Sequence, residues 1–320
     1  MDNLVNEIIL NYQDIYADKG KFTVGLSGGI DSVFLLHLFA KIRDLLPITV
    51  DAVHVNHGIS SHALQWEDFC KTLCARLQIS LHISRYTITK SGGESLENNA
   101  RKVRYDVFSK LDSEVIILAH HKNDQVETML SQMLRGSDLH NIAAMKKFSK
   151  KYGKFFWRPL LSTSRSQIES FIKGHKISYI NDESNYDTGY LRNFVRHKLL
   201  PEMLVWDNTI VNKLINVTTQ LQETCNLLDE IGLDDLLAIQ NDDDKKILSV
   251  EKFKLLSCNR QTNVLSYYIN SQKLPLPSKN KIQEFCRQVN VSSWDRYPKL
   301  NLTEKMYLCK KKNDIKIMTL

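Results

Sequence analysis

Along about the first two hundred residues, apolar positions follow two rhythms that take turns. Short β-branched or fully apolar runs at Lys21–Leu26 (KFTVGL), Ile48–Asn56 (ITVDAVHVN), Leu81–Tyr86 and Val115–Ala119 (VIILA) predict strands. Between them the spacing turns helical. Trp66, Phe69, Cys70, Leu73, Cys74 and Leu77 stand at i, i+3, i+4, i+7, i+8 and i+11, which predicts an amphipathic helix. Residues 31–40 predict a helix directly after the first strand. Residues 95–111 predict another, with Leu96, Ala100, Val103, Val107 and Leu111 inward. Ser164 and Gln167 form a capping-box pattern for a helix closing near Gly174, and Ile177–Ile180 is expected to add a strand. Such alternation predicts an α/β domain with a doubly wound, mostly parallel sheet.

The texture changes after Pro201. Helical patterns over 208–231, 259–271 and 279–289 are followed by an alternating stretch around Lys312-Asn313-Asp314, which predicts a hairpin of Lys305–Lys310 and Ile315–Thr319. The expected division is residues 1–203, the α/β domain, and residues 204–320, a smaller and mostly helical one. Lys310–Lys312 is expected to be a solvated strand end.

Composition narrows the class. With 42% apolar and 25% charged residues the chain is an ordinary globular protein rather than a disordered one. Its start, MDNLVNEIIL, lacks the basic opening and apolar core of a secretory signal, and no apolar run approaches the ~20 residues that span a bilayer. A cytoplasmic location with no membrane partner is therefore expected. None of the six cysteines forms a C-x-x-C pair, which argues against zinc-ribbon and iron–sulfur chemistry. Cys70 and Cys74 fall on a buried helical stripe, as small hydrophobes do. The net charge of +7 is compatible with a polyanionic partner.

The chemistry concentrates in a few segments. Ser27-Gly28-Gly29-Ile30-Asp31-Ser32 lies between a strand and a helix, where glycines let backbone N–H groups approach an anion. Asp31 would be repelled by phosphates unless Mg²⁺ lay between them. Neither G-x-x-x-x-G-K-[ST] nor G-x-G-x-x-G occurs. Asp124 and Glu127 share a helical face at i, i+3, so their carboxylates could converge on the same ion. Between Asp138 and Glu169 there is no acidic residue. Lys146, Lys147, Lys150, Lys151, Lys154, Arg158 and Arg165 are interleaved there with Phe148, Tyr152, Phe155, Phe156 and Trp157. Cations and flat rings suit a single-stranded RNA loop, and rings packed on the sheet explain the run equally well.

The loop resembles the SGGxDS signature of the PP-loop ATP-pyrophosphatase superfamily, whose members cleave ATP between its α and β phosphates. His54-Val55-Asn56-His57-Gly58 resembles the segment that lines adenine in that superfamily. Further runs are similar to those of the tRNA(Ile)-lysidine synthetases. They are Glu94–Tyr105 (E-x-x-A-R-x-x-R-Y), Ala119–Thr128 (AHHxDDQxET), and Asn181–Asn185 with Tyr190–Arg196 and Leu199-Leu200-Pro201.

The resemblance implies ATP and Mg²⁺ as cofactors, with L-lysine and the isoleucine tRNA of CAU anticodon as partners. It implies that Ser27, Gly28, Gly29, Ile30, Asp31 and Ser32, with His54, Val55 and Asn56, hold the nucleotide. Asp31, Asp124 and Glu127 would hold the metal, and Asp31, His120 and Asp124 would be catalytic. Arg101, Arg104, Arg192 and Arg196 would bind tRNA. Asn123 departs from the pattern, which has Asp there. A homodimer is left open. A tRNA-cytidine thiolase, disfavoured by the missing C-x-x-C, and a non-catalytic nucleotide- or RNA-binding module are the alternatives.

Overall fold

Phe22, Val24, Val50, Ala52, Val115 and Ile117 are all buried, and the strands that carry them lie inside one sheet. The computed structural model describes residues 2–13, 20–58, 60–86, 96–182, 187–241 and 244–319. They form two compact units, Met1–Ser137 with Ala144–Thr218, and Asp138–Ala143 with Thr219–Leu320. Motif residues Glu94, Ser95 and Glu183–Asn185, and the side chain of Glu97, lie outside the description.

In the first unit α1 (Asp2–Gln13), β1 (Gly20–Gly25), α2 (Ile30–Arg43), β2 (Ile48–Asn56), α3 (Ala63–Arg76), β3 (Ser80–Arg85), α4 (Leu96–Ser109), β4 (Val115–Ile117) and α5 (Lys122–Leu134) follow the predicted alternation. Past α6 (Leu139–Ile142), which belongs to the second unit, come β5 (Phe148–Lys151), β6 (Lys154–Trp157) and α7 (Arg165–Gly174). The sheet order is β3-β2-β1-β4-β6-β5, parallel except for the edge strand β5. One face is covered by apolar residues of α1, α2, α3 and α7, and the other by Tyr105, Val107 and Phe108 of α4. The order reverses between β1 and β4, and crevices at the carboxyl ends of such neighbours are where open α/β sheets bind ligands.

One expectation is corrected here and one open alternative is narrowed. No strand forms at 177–180; Ile180 makes a single parallel bridge to Gly29, and its N–H donates to Gly28 O at 2.9 Å. The aromatic run is divided between core and surface. Phe156 and Trp157 are buried, Phe148 stacks on Trp157 at 5.6 Å, and only Phe155 and Tyr152 stay exposed. The reason is period-two alternation combined with a tight turn at Tyr152-Gly153, where both φ angles are positive.

The first unit closes with α8 (Leu191–Phe194), a π-helical turn over Val195–Leu199, α9 (Leu200–Trp206) and the start of α10 (Ile210–Ile239). Ile210, Val211, Leu214 and Ile215 pack around Val126, Leu130, Val195 and Leu200, so the division falls at Thr218 inside α10. The helical pattern alone had placed it after residue 203.

The second unit adds β7 (Leu248–Ser249), α11 (Val250–Lys254), α12 (Cys258–Ser271), α13 (Lys279–Val291), β8 (Lys299–Asn301), β9 (Met306–Lys311) and β10 (Asp314–Thr319). The predicted hairpin is β9–β10, extended by two short strands into an antiparallel sheet ordered β7-β10-β9-β8. Lys310 is not solvated. It is buried, and its Nζ donates to Ser293 O at 2.6 Å, tying the preceding turn to the sheet. Among the described residues no helix is long and apolar enough to cross a membrane.

Candidate active site

The crevice is built from the loop after β1 and the loop after β4. Gly28 takes φ +87°, a conformation that L side chains rarely adopt, and a Cβ there would lie 2.3 Å from Ile180 Cδ1. Ser32 Oγ donates to Gly29 O at 2.9 Å and lies 3.1 Å from Ser27 Oγ, so the two hydroxyls brace the loop from within. Gly29 caps α2 without any side-chain hydrogen bond. The first N–H groups of the helix are thus open to an anion. His54 lies behind the loop, buried, with Nδ1 2.9 Å from Leu26 O, so Nδ1–H is the donor. Asn56 accepts from Gly58 N–H at 2.9 Å and shapes the turn after β2, while Val55 packs on the α4 side of the sheet.

After β4 the chain presents two histidines. His121 caps α5: its Nδ1 accepts from Asp124 N–H, and Asp124 Oδ2 accepts from His121 N–H at 2.9 Å. The ring proton then sits on Nε2. Nε2 lies 3.4 Å from Asp124 Oδ2 and 3.7 Å from Asp31 Oδ1, buried and without a hydrogen-bond partner. This places Asp31 and Asp124 on either side of one imidazole edge. Burial raises the Asp31 pKa, and repulsion from Asp124 adds to it, against the attraction of His121 and Arg165. For Asp124, burial acts upward, yet His121, Arg192 and His120 hold it below the usual carboxylate range.

Each carboxylate also has an arginine. Arg165 Nη1 donates to both Asp31 oxygens at 2.8 and 2.7 Å. It is aimed there because its own N–H donates to Asn123 Oδ1 at 3.1 Å, a bond that an amide makes as well as a carboxylate. Arg192 and Arg196 converge on α5: Arg192 reaches Asp124 at 2.6 Å and Glu127 at 3.1 Å, and Arg196 reaches Glu127 at 2.7 Å through two nitrogens. The π-helical turn, where Leu200 N–H bonds Val195 O, carries Arg196 and follows directly on the α8 helix that carries Arg192. Turns of this kind often occur at functional sites.

A divalent cation on Asp31 and Asp124 would take the place of their present partners, Arg165 on both Asp31 oxygens and Arg192 and Arg196 on Asp124 Oδ1. Glu127 is occupied in the same way, with both its oxygens held by Arg192 and Arg196. Among the described residues, no group of three or more His, Cys, Asp and Glu is arranged to hold a metal ion, so the expected three-carboxylate set is not gathered.

Residues 2–203 match the family model of the PP-loop domain, and residues 248–313 match that of the TilS substrate binding domain. A tRNA(Ile)-lysidine synthase of Nitrosomonas europaea is 38% identical over 84% of this chain and 59% of its own length. That of Chromobacterium violaceum is 36% identical over 94% and 69%. The chain belongs to the tRNA(Ile)-lysidine synthase family. It spans roughly six- to seven-tenths of these two relatives. The solved U34-tRNA thiolase NcsA from Methanococcus maripaludis shares the fold, with a TM-score of 0.61 at 14% identity, covering 69% of this chain and 78% of that one.

The other residues that the lysidine synthase resemblance singled out are spread around this crevice. His120 is half-buried, and its Nδ1 has no hydrogen-bond partner. Burial, opposed by Asp124 and helped by Arg158, pushes its pKa down to about 3. Between pH ~6.5 and about 3 the unfolded chain binds a proton there that the folded chain does not. His120 thus contributes stability above ~6.5 that is lost as pH falls. His120→Gln is expected to flatten that slope by up to one proton in urea titrations across the window; an unchanged slope would contradict the assignment. Arg101 and Arg104 are exposed on α4, and Arg101 lies 5.3 Å over the Tyr105 ring.

Proposed function

We propose that the protein attaches L-lysine to C2 of the wobble cytidine of the isoleucine tRNA with a CAU anticodon, through an adenylated intermediate. The observation that carries this reading is one crevice shared by the phosphate loop, the Asp31–His121–Asp124 group and Arg192 with Arg196. Membership of the lysidine synthase family supports the substrates, and an ATP- and tRNA-dependent reaction suits the cytoplasm.

In the first step the C2 oxygen attacks the α-phosphorus of ATP, and pyrophosphate leaves as the bridging P–O bond breaks. Backbone N–H groups at the start of α2 bind the phosphates. Ser27 and Ser32 hold the loop in shape, and His54 pins it from behind. Mg²⁺, held by Asp31 and Asp124, would offset the charge gathering on the leaving pyrophosphate. The adenylated oxygen is then a leaving group. In the second step the neutral ε-amine of lysine bonds to C2, the C2–O bond breaks, AMP departs, and the surplus proton passes to solvent. A His120 with a pKa of about 3 is a poor proton acceptor, so it serves as a neutral hydrogen-bonding contact. His121 orients Asp124 through the cap of α5 and faces Asp31 with its ring edge.

The test is incubation with ATP, Mg²⁺, labelled lysine and CAU-anticodon transcripts. Lysine is expected in the isoleucine transcript and not in the methionine one. Asp31→Asn, which keeps the shape, is expected to cut pyrophosphate release by about 10²-fold or more. Pyrophosphate without lysine would keep the adenylation and remove the amine. Neither product would leave a binding module.

A further inference from the structure

The C-terminal half of α2 faces a second group of cations. His37 and Lys41 of α2, Arg76 in the last turn of α3, and His175 and Lys176 just beyond α7 line one cavity of about 450 Å³, with Phe171 as its apolar wall. Among the described residues no carboxylate lines it. A single cation at a helix C-terminus complements the helix dipole and calls for no ligand. Here the ends of three helices bring their basic side chains to one concavity.

Two further features point to a missing anion. His37 Nε2 is buried with no hydrogen-bond partner, although buried polar atoms are normally satisfied. The wall beside it is firmly set: the Phe171 ring lies 4.1 Å from that of His175 and meets Phe34 edge-on at 5.1 Å. Burial first, then Arg76 and His175, hold the His37 pKa below its usual value, as expected of an imidazole among cations.

We propose that this cavity is a second anion site, one that takes a phosphate group. It lies roughly 10–16 Å along α2 from Ile30, by the rise of an α-helix, and so is separate from the phosphate loop. A phosphate would accept from His37 and from the exposed Arg76 and Lys176, with Lys41 lining the same cavity. The group can come from an RNA backbone or from a small polyphosphate. The RNA source rests on the tRNA reading above; the site itself does not.

Two measurements on the full chain decide it, each with the wild type and with Lys41→Gln/Arg76→Gln/Lys176→Gln. Calorimetric titration with inorganic pyrophosphate is expected to give two sites per chain in the wild type and one in the variant. The affinity for the CAU transcript is expected to lose a slope of about 0.7–0.9 in log K against log salt, the counterion release that one neutralised phosphate gives. Loss of the salt slope alone assigns the site to the RNA backbone, and loss of the second pyrophosphate alone assigns it to free polyphosphate. One pyrophosphate in both proteins together with equal slopes overturns the proposal. Arg76→Glu, a charge reversal on one exposed side chain, gives the same readouts if the triple variant melts early. If the wild type releases no tRNA-dependent pyrophosphate, the proposed reaction fails while the titration still decides this site.

Discussion

Gly28→Ala is expected to destabilise the first unit by about 2–5 kcal/mol and to lower tRNA-dependent pyrophosphate release by about 10²-fold. Holding a non-glycine residue at a φ of +87° costs about 1–2 kcal/mol. The added methyl would also sit 2.3 Å from Ile180 Cδ1, and overpacking of that kind typically costs a further ~1–3 kcal/mol. The chain can relieve the contact by turning the end of the Ile180 side chain out of its packing, or by moving the loop that aims the α2 amides. Adding Ile180→Ala removes the clash and leaves the dihedral strain. Urea unfolding of both single variants and the double should therefore show a favourable coupling of about 1–2 kcal/mol. A Gly28→Ala protein with wild-type stability and turnover would show that the loop is not held in this way.

The second large effect lies in the arginine clamp on α5. Glu127 has only 3% of its side chain exposed, and it receives three hydrogen bonds from Arg192 and Arg196. Removing one partner of a buried pair costs about 3–5 kcal/mol. The two arginines remain 32% and 30% exposed, so water recovers part of their charge, and Glu127→Ala is expected to cost about 2–3 kcal/mol. Arg196→Ala leaves the Glu127 carboxylate with Arg192 alone. The double variant should be less unstable than the two single losses summed, since no buried charge is then abandoned. Strict additivity in chemical denaturation would mean that the clamp carries no coupling. Turnover should fall in both single variants, because the same arginines fix Asp124.

The parts legible in the sequence are those that a local pattern specifies. β-branched runs gave the parallel strands, the Cys70–Cys74 stripe gave the inward face of α3, and the strand–SGG–helix order gave the phosphate loop. What was not legible depends on partners far along the chain. Arg165 reads as one more cation in a basic stretch until the bond from its N–H to Asn123 swings it onto Asp31. His120 looked like the reactive histidine because it ends an apolar strand, whereas His121 is the one placed between the aspartates. A local signal for it existed: a residue directly before a helix with Asp three positions on is a capping pattern. The strands β7 and β8 are two and three residues long, too short for any periodicity. Ile177–Ile180 has strand composition, but only Ile180 finds a neighbour, and there the neighbour is the loop itself.

That neighbour lies about 150 residues downstream of Gly28. A ribosome adding ~5–20 residues per second therefore makes the loop roughly eight to thirty seconds before the chain that braces it exists. Throughout that interval the nascent protein holds the signature without its shape. The loop gains its brace just past the middle of the sequence, close to the point at which Arg192 and Arg196 are also made.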